Sequence, residues 1–259
     1  MSTSVLHQEQ TSEVDLFVET ERTAKAFFAM LLGPPDSATG KPLGCVEMRV
    51  FKAGFNGSKI APATEYPRTF CGWFDDAELY WKACGRLAGA SAYLTVNPVH
   101  PALVARSYNK LSPTKHATSD SDILALRWLY IDIDPVRPAD ISSSDVELEQ
   151  ALERRDIILS ENPEIAASAE WGCSGNGAWI LVRLPDVPNA KEHHAKVAAF
   201  LESLRDRYDD EAVKIDVTTK NPSRVMCAIG TMKHKGDQVG DRRHRMVTWD
   251  GGRHHGGLL

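Results

Sequence analysis

The sequence predicts an α+β protein of two layers, with sheet packed on helix. Three observations predict it. Apolar residues alternate with period two at 46–52, 91–96, 126–134, 178–184 and 213–217. Apolar stripes with helical period run through 19–32 and 190–208. The two kinds of segment interleave without the repeated glycine-rich turns of a doubly wound parallel fold.

Residues 1–15 are polar and aperiodic, so disorder is expected there. Ala24, Phe27, Phe28 and Leu31 then fall at helical spacing within 19–32, and 33–44 (GPPDSATGKPLG) has linker composition. A strand at 46–52 is followed by an expected long loop over 53–70. Asp75 or Asp76 is placed to cap a helix whose buried face carries Leu79, Ala83 and Leu87. The strand at 91–96 stops at Asn97-Pro98, a short helix is expected at 102–111, and a polar loop leads into the strand at 126–134. Ser144-Asp145-Val146-Glu147 has the form of a capping box. A short strand at 167–170, the turn 171–177 and a strand at 178–184 follow. The clearest helix, 190–208, carries Val197, Phe200, Leu201, Leu204 and Tyr208 on one stripe. A strand at 213–217 and a loop, TTKNPS, lead to Arg224-Val225-Met226-Cys227, and the tail from Gly252 is expected to be flexible.

The composition of the 259-residue chain, 42% hydrophobic and 25% charged, is that of a globular protein. No apolar run has the length of a membrane span, and the N-terminus lacks a signal peptide's apolar core, so a cytoplasmic location with no membrane partner is expected. Five widely spaced cysteines without a Cys-x-x-Cys read as free thiols. The net charge of −5 is unevenly spread. From residue 214 onward nine Lys/Arg face four Asp, a net of +5, which leaves −10 on the first 213 residues. That asymmetry points to an anionic partner near the C-terminal end, or to a solvated basic tail.

The most informative stretch is LRWLYIDIDP. In a strand, Ile131 and Ile133 share one face while Asp132 and Asp134 share the other. Adjacent carboxylates repel, and a hard divalent cation such as Mg²⁺ or Mn²⁺ resolves the conflict. The alternative is a strand end in which one Asp caps a turn. Two later features can join the pair: the small-residue turn Ser174-Gly175-Asn176-Gly177, whose backbone N–H groups suit a phosphate, and Asp216 at a further strand end. A third carboxylate would complete a ligand set for two cations about 3.5–4 Å apart, as in nucleotidyl transfer. Lys214, Lys220, Arg224, Lys233 and Lys235 could supply charge for the remaining phosphates.

In this order of motifs, residues 119–245 resemble the catalytic core of the archaeo-eukaryotic primase superfamily, in the primase-polymerase branch of phages, plasmids and other mobile elements. The resembling segments are YIDIDPVRP, SGNGAWILVRL, DDEAVKID and NPSRVMCAIGTMKHKGD. Weaker likeness runs back through VEMRVFKAG, GWFDD and AYLTVNPVHP to about residue 45. The resemblance implies a modified RNA-recognition-motif sheet with flanking helices, joined to an N-terminal α/β unit. The expected organisation is a leader, helix and linker at 1–44, the α/β unit at 45–118, the catalytic core at 119–250 and a tail at 251–259.

It further implies that Asp132, Asp134 and Asp216 bind Mg²⁺ or Mn²⁺. Ser174, Gly175, Asn176, Gly177, Trp179, Arg224, Lys233, His234 and Lys235 are the expected nucleotide-binding residues. Implied partners are an NTP or dNTP and a single-stranded or primed DNA template; since the sequence carries no Gly-x-x-x-x-Gly-Lys-Ser/Thr loop, unwinding is expected from a separate helicase or from a region outside this sequence. One departure stands out. Where relatives commonly read Gly-Asn-Gly-small-His, this chain has Gly177-Ala178-Trp179, so Trp179 is either a base-stacking ring or a core tryptophan. His116, before the catalytic strand, is a further candidate substrate contact, and His193, His194, His254 and His255 read as solvated pairs. The expected activity is DNA primase/polymerase chemistry. A catalytically weakened nucleic-acid-binding accessory module and, more remotely, a metal-dependent nuclease are the alternatives.

Overall fold

The computed structural model describes residues 13–253, so most of the expected leader and the tail with His254 and His255 lie outside the described residues. Helix α1 (Glu13–Leu32) starts earlier than the apolar stripe alone indicates. Glu13 and Asp15 occupy its first turn, where carboxylates favour the positive end of the helix dipole. Its inner face buries Ala24, Phe27, Phe28 and Leu31.

The first sheet contains β1 (Val46–Asn56), β2 (Lys59–Pro62), β3 (Arg68–Phe74), β4 (Ala92–Thr95) and β5 (Ser112–Thr114), with α2 (Ala77–Cys84) between β3 and β4. The expected loop at 53–70 is therefore corrected: β1 runs on into a hairpin whose ladder closes at Asn56–Lys59. The two-residue turn is Gly57-Ser58, with Gly57 at φ +59°. The expected helix at 102–111 is a single 3₁₀ segment, Pro101–Arg106, and Ser112–Thr114 of the expected loop is an edge strand on β3. Asp76 caps α2 by accepting from the Leu79 N–H.

The second sheet contains β6 (Ala125–Pro135), followed by α3 (Asp145–Glu161) and the one-turn α4 (Pro163–Ala166), then β7 (Ala169–Cys173) and β8 (Ala178–Pro188). Helix α5 (Lys191–Tyr208) and β9 (Val213–Ile215) come next. The capping box of α3 forms as the sequence predicts. Beyond it lie β10 (Val225–Cys227), the small β11 (Met232–Lys233)–β12 (Arg245–Met246) ladder, and β13 (Thr248–Gly252). The strand orders are β10-β4-β1-β3-β5, with β2 on β1, and β13-β7-β8-β6-β9. All of these pairings are antiparallel. The α+β class expected from the sequence is thus present. Strand β10, late in the chain, crosses back to pair with β4 and complete the first sheet.

Alternation along β6 fixes the layers. Leu129, Ile131 and Ile133 join Ile158, Leu201 and Leu204 of α3 and α5 in one core. Trp128 and Tyr130 face the other way, into the larger core with α1, α2 and the first sheet. Asp132 and Asp134 continue that second face beyond the core, half-buried.

Asn97 ties the two sheets together. Its side-chain oxygen accepts from the N–H groups of Arg127 (2.8 Å) and Trp128 (2.9 Å), where the β6 register shifts, and its amide donates to the Pro222 carbonyl (3.1 Å). Asn97→Ala strands three buried backbone groups. It is expected to cost about 2–3 kcal/mol in urea unfolding. The five cysteines are free and buried. No described helix is long and apolar enough to cross a membrane.

Candidate active site

The β-ladders set the site. Asp132 pairs with Trp179 of β8 on one side. On the other, Ile133 and Asp134 pair with Ile215 and Lys214 of β9, and the Asp216 N–H donates to the Asp132 carbonyl at 2.9 Å. Asp216, the residue after β9, therefore takes the next position across from Asp132. The same register brings Gly177 beside Asp134. A Cβ on Gly177 would lie 2.4 Å from the Ile133 carbonyl and 3.2 Å from Asp134 Oδ1, so glycine is what lets the turn close on the carboxylates.

The electrostatics follow from this crowding. Desolvation, and then the charge of Asp134, push the Asp132 carboxyl up to about 7; Asp216 adds to the rise, while Arg224 opposes it. Tyr130, two residues earlier on the same face, donates its hydroxyl to Asp132 Oδ1 at 3.1 Å. Arg137 stands 3.6 Å from Asp134. Asp216 is held apart from the other two carboxylates by its partners. Its Oδ2 accepts from Arg224 at 2.7 Å and its Oδ1 from the Thr218 N–H at 2.8 Å.

Among the described residues no three Asp, Glu, His or Cys side chains converge to hold a metal ion. The expected three-carboxylate set is thus not formed. Asp132 and Asp134 fit a divalent cation as a pair: both are hard oxygen donors, half-buried on one face, with a mutual repulsion that a cation relieves.

Several expected nucleotide contacts take other roles. The Ser174 N–H donates to the Gly177 carbonyl and closes the turn, and the Gly175 N–H donates to Cys173 Sγ at φ +86°. Asn176 is corrected to a staple: it is 2% exposed, and its side-chain oxygen accepts from the Ser143 N–H at 3.0 Å.

Trp179 is also corrected. It is fully buried, its ring edge-on to Phe27 of α1 at 5.6 Å, and its Nε1 meets no acceptor. It is the core tryptophan and not a base-stacking platform. Lys233 lies over Gly175 and donates to Tyr93 Oη (2.7 Å) and Cys227 Sγ (3.4 Å). Burial, with Asp132 and Asp134 adding to it and Lys233 opposing it, pushes the Cys227 thiol up, so Lys233 sits on the side of Cys227 near the β6 carboxylates.

His234 packs against His244 at 4.7 Å; burial, and then that neighbour, lower its pKa, so it adds no cation at neutral pH. Lys235 lines a groove of about 710 Å³ with Phe51, Lys52, Tyr93 and Ser91. Lys214 is 3.6 Å from Asp209, His116 is exposed, and His193 and His194 bond to Pro188 and Asn189 at the start of α5. Sequence reasoning missed Tyr130, Tyr93 and Asn97. Only Tyr130 carried a signal, its period-two spacing from Asp132.

No protein-family model matches the chain, and no curated protein matches it. One solved structure, the polymerase domain from Mycobacterium tuberculosis Ligase D in complex with DNA, is similar at 16% identity. The match has a TM-score of 0.44 and covers 86% of this chain and 77% of that one.

Proposed function

We propose that the protein is a template-directed nucleotidyltransferase, a primase-polymerase of a replication or mobile-element system that joins an NTP or dNTP to a 3′-hydroxyl. The observation that carries this reading is the end of β6. Asp132 and Asp134 emerge together from the core, beside a glycine-closed turn, with Asp216 opposite and Arg224 and Lys233 at the border. Mg²⁺ or Mn²⁺ held by Asp132 and Asp134 would lower the pKa of the attacking hydroxyl and neutralise phosphate charge.

The chain's own residues do the rest. Tyr130 orients Asp132 through its hydroxyl, and Gly177 keeps the turn close enough for backbone groups to meet a phosphate. Arg224 and Lys233 supply positive charge where the triphosphate lies, so positioning and electrostatics account for the acceleration. Single-stranded or primed DNA is the template.

A second reading is favoured by Trp179. With that side chain in the core, no imidazole faces the cleft at this ladder position, which suits a weakened, nucleic-acid-binding accessory module. Extension of a labelled primer with NTPs and dNTPs, in Mg²⁺ and in Mn²⁺, separates the two. Product that disappears in Asp134→Ala supports the transferase; DNA binding without product in either metal supports the module.

A further inference from the structure

We infer that Arg224 is a positioning residue whose guanidinium is shared between the Asp216 carboxylate and the phosphates of an incoming nucleotide, so that triphosphate binding frees Asp216 to join Asp132 and Asp134. The inference rests on the nucleotidyl-transfer reading above and names how that site is regulated.

The backbone has already placed Asp216. Its N–H bonds to the Asp132 carbonyl, at the next position across the ladder. The direction of its carboxylate is set by Arg224 and the Thr218 N–H. A side-chain rotation, with no strand movement, is enough to change it.

The backbone of Arg224 is equally fixed. Its carbonyl accepts from the Val96 N–H, Asn97 holds the Pro222 carbonyl, and Asp120 accepts from both the N–H (3.0 Å) and the hydroxyl (2.7 Å) of Ser223. The arginine side chain is 26% exposed and bonds at its tip to Asp216 and, at 3.4 Å, to the Thr218 hydroxyl. A planar guanidinium forms stronger, forked pairs with phosphate oxygens than with one oxygen of a carboxylate. When it turns to the triphosphate, Asp216 is left facing Asp132 and Asp134, a repulsion that a divalent cation removes. Anion and cation sites are then coupled through one side chain, and by linkage the coupling is reciprocal.

The test uses the full chain and two probes kept apart: Mn²⁺ alone, followed by the paramagnetic resonance of free ion, and tripolyphosphate alone in a chelator, followed calorimetrically. The variants are Asp216→Asn, which keeps an acceptor for the Thr218 N–H, Arg224→Gln, and the double substitution. Asp216→Asn is expected to tighten tripolyphosphate binding about tenfold when Arg224 is present and less than about threefold on the Gln background. Arg224→Gln is expected to tighten Mn²⁺ about tenfold when Asp216 is present and less than about threefold on the Asn background.

Thermal melts check each fold, and Arg224→Met, which keeps the stem, replaces Arg224→Gln if the latter does not fold. Equal effects on both backgrounds mean a general field effect and overturn the inference while the transferase reading stands. A wild-type chain that binds neither probe overturns both.

Discussion

Asp132→Asn is expected to stabilise the fold above pH 7 and to remove nucleotidyl transfer. Burial, and then the adjacent Asp134 charge, raise the folded-state carboxyl from an ordinary 3.8 to about 7. Between those values the folded chain holds a proton that the unfolded chain has lost. Stability contributed by this group is therefore full below about pH 4 and declines as pH rises through 7.

Asparagine never ionises, so its fold escapes that loss. The gain over wild type is expected to grow from a few tenths of a kcal/mol at about pH 4 to about 1–3 kcal/mol at pH 8, discounted for the partial exposure of the carboxylate. Urea unfolding at the two pH values measures it, and a gain that does not change with pH contradicts the assignment. Saturating Mg²⁺ or Mn²⁺ at pH 8 is expected to stabilise the wild type by about 2–3 kcal/mol near one hundred times its dissociation constant, and the Asn variant far less. Transfer should fall at least about a hundred- to a thousandfold. Loss of activity with gain of stability separates a working site from a structural one, since a structural carboxylate would lose stability instead.

The sequence shows most clearly those elements whose pattern is long. Strand β6 and helix α5 each span several repeats of their period, and both lie within a residue or two of their expected bounds. β5, β10 and β11 contain two or three residues, too few for an alternation to register, and are strands only because a neighbour pairs with them. The β1–β2 hairpin turns at Gly57-Ser58, a pair that suits a two-residue turn, but its glycine- and proline-rich surroundings also read as a loop.

At the site, the placing of Asp132 and Asp134 follows from period two alone, and the burial of β6 confirms the face. The position of Asp216 beside them depends on which strand pairs with which, and the direction of its carboxylate depends on Arg224. Neither is encoded in local pattern. Asn176 shows the same limit: it sits in a turn by composition, yet Ser143, from a distant loop, decides what its side chain does.

Trp179 is where local pattern left two outcomes open, and substitution there should have the largest effect on folding. The ring is fully buried beneath α1, edge-on to Phe27, and a Cβ on Gly172 would fall 2.7 Å from it, so the neighbouring strand keeps a glycine to make room. Trp179→Ala is expected to cost about 3–5 kcal/mol, the range for emptying a large aromatic from a core, read as a fall in the urea midpoint at constant slope.

Trp179→Phe keeps most of the volume and should cost much less, with nucleotide affinity unchanged within about twofold, since the ring touches helix and strand and not the cleft. Trp179→His does not restore the motif of the resembling primases. At this position an imidazole would point at Phe27, leave a void, and bury two ring nitrogens in place of one unpartnered indole N–H. The expected result is a destabilised chain with no tighter NTP binding. Tighter binding by a fully folded Trp179→His variant would mean that this face of β8 opens to the cleft and that α1 does not pack as described.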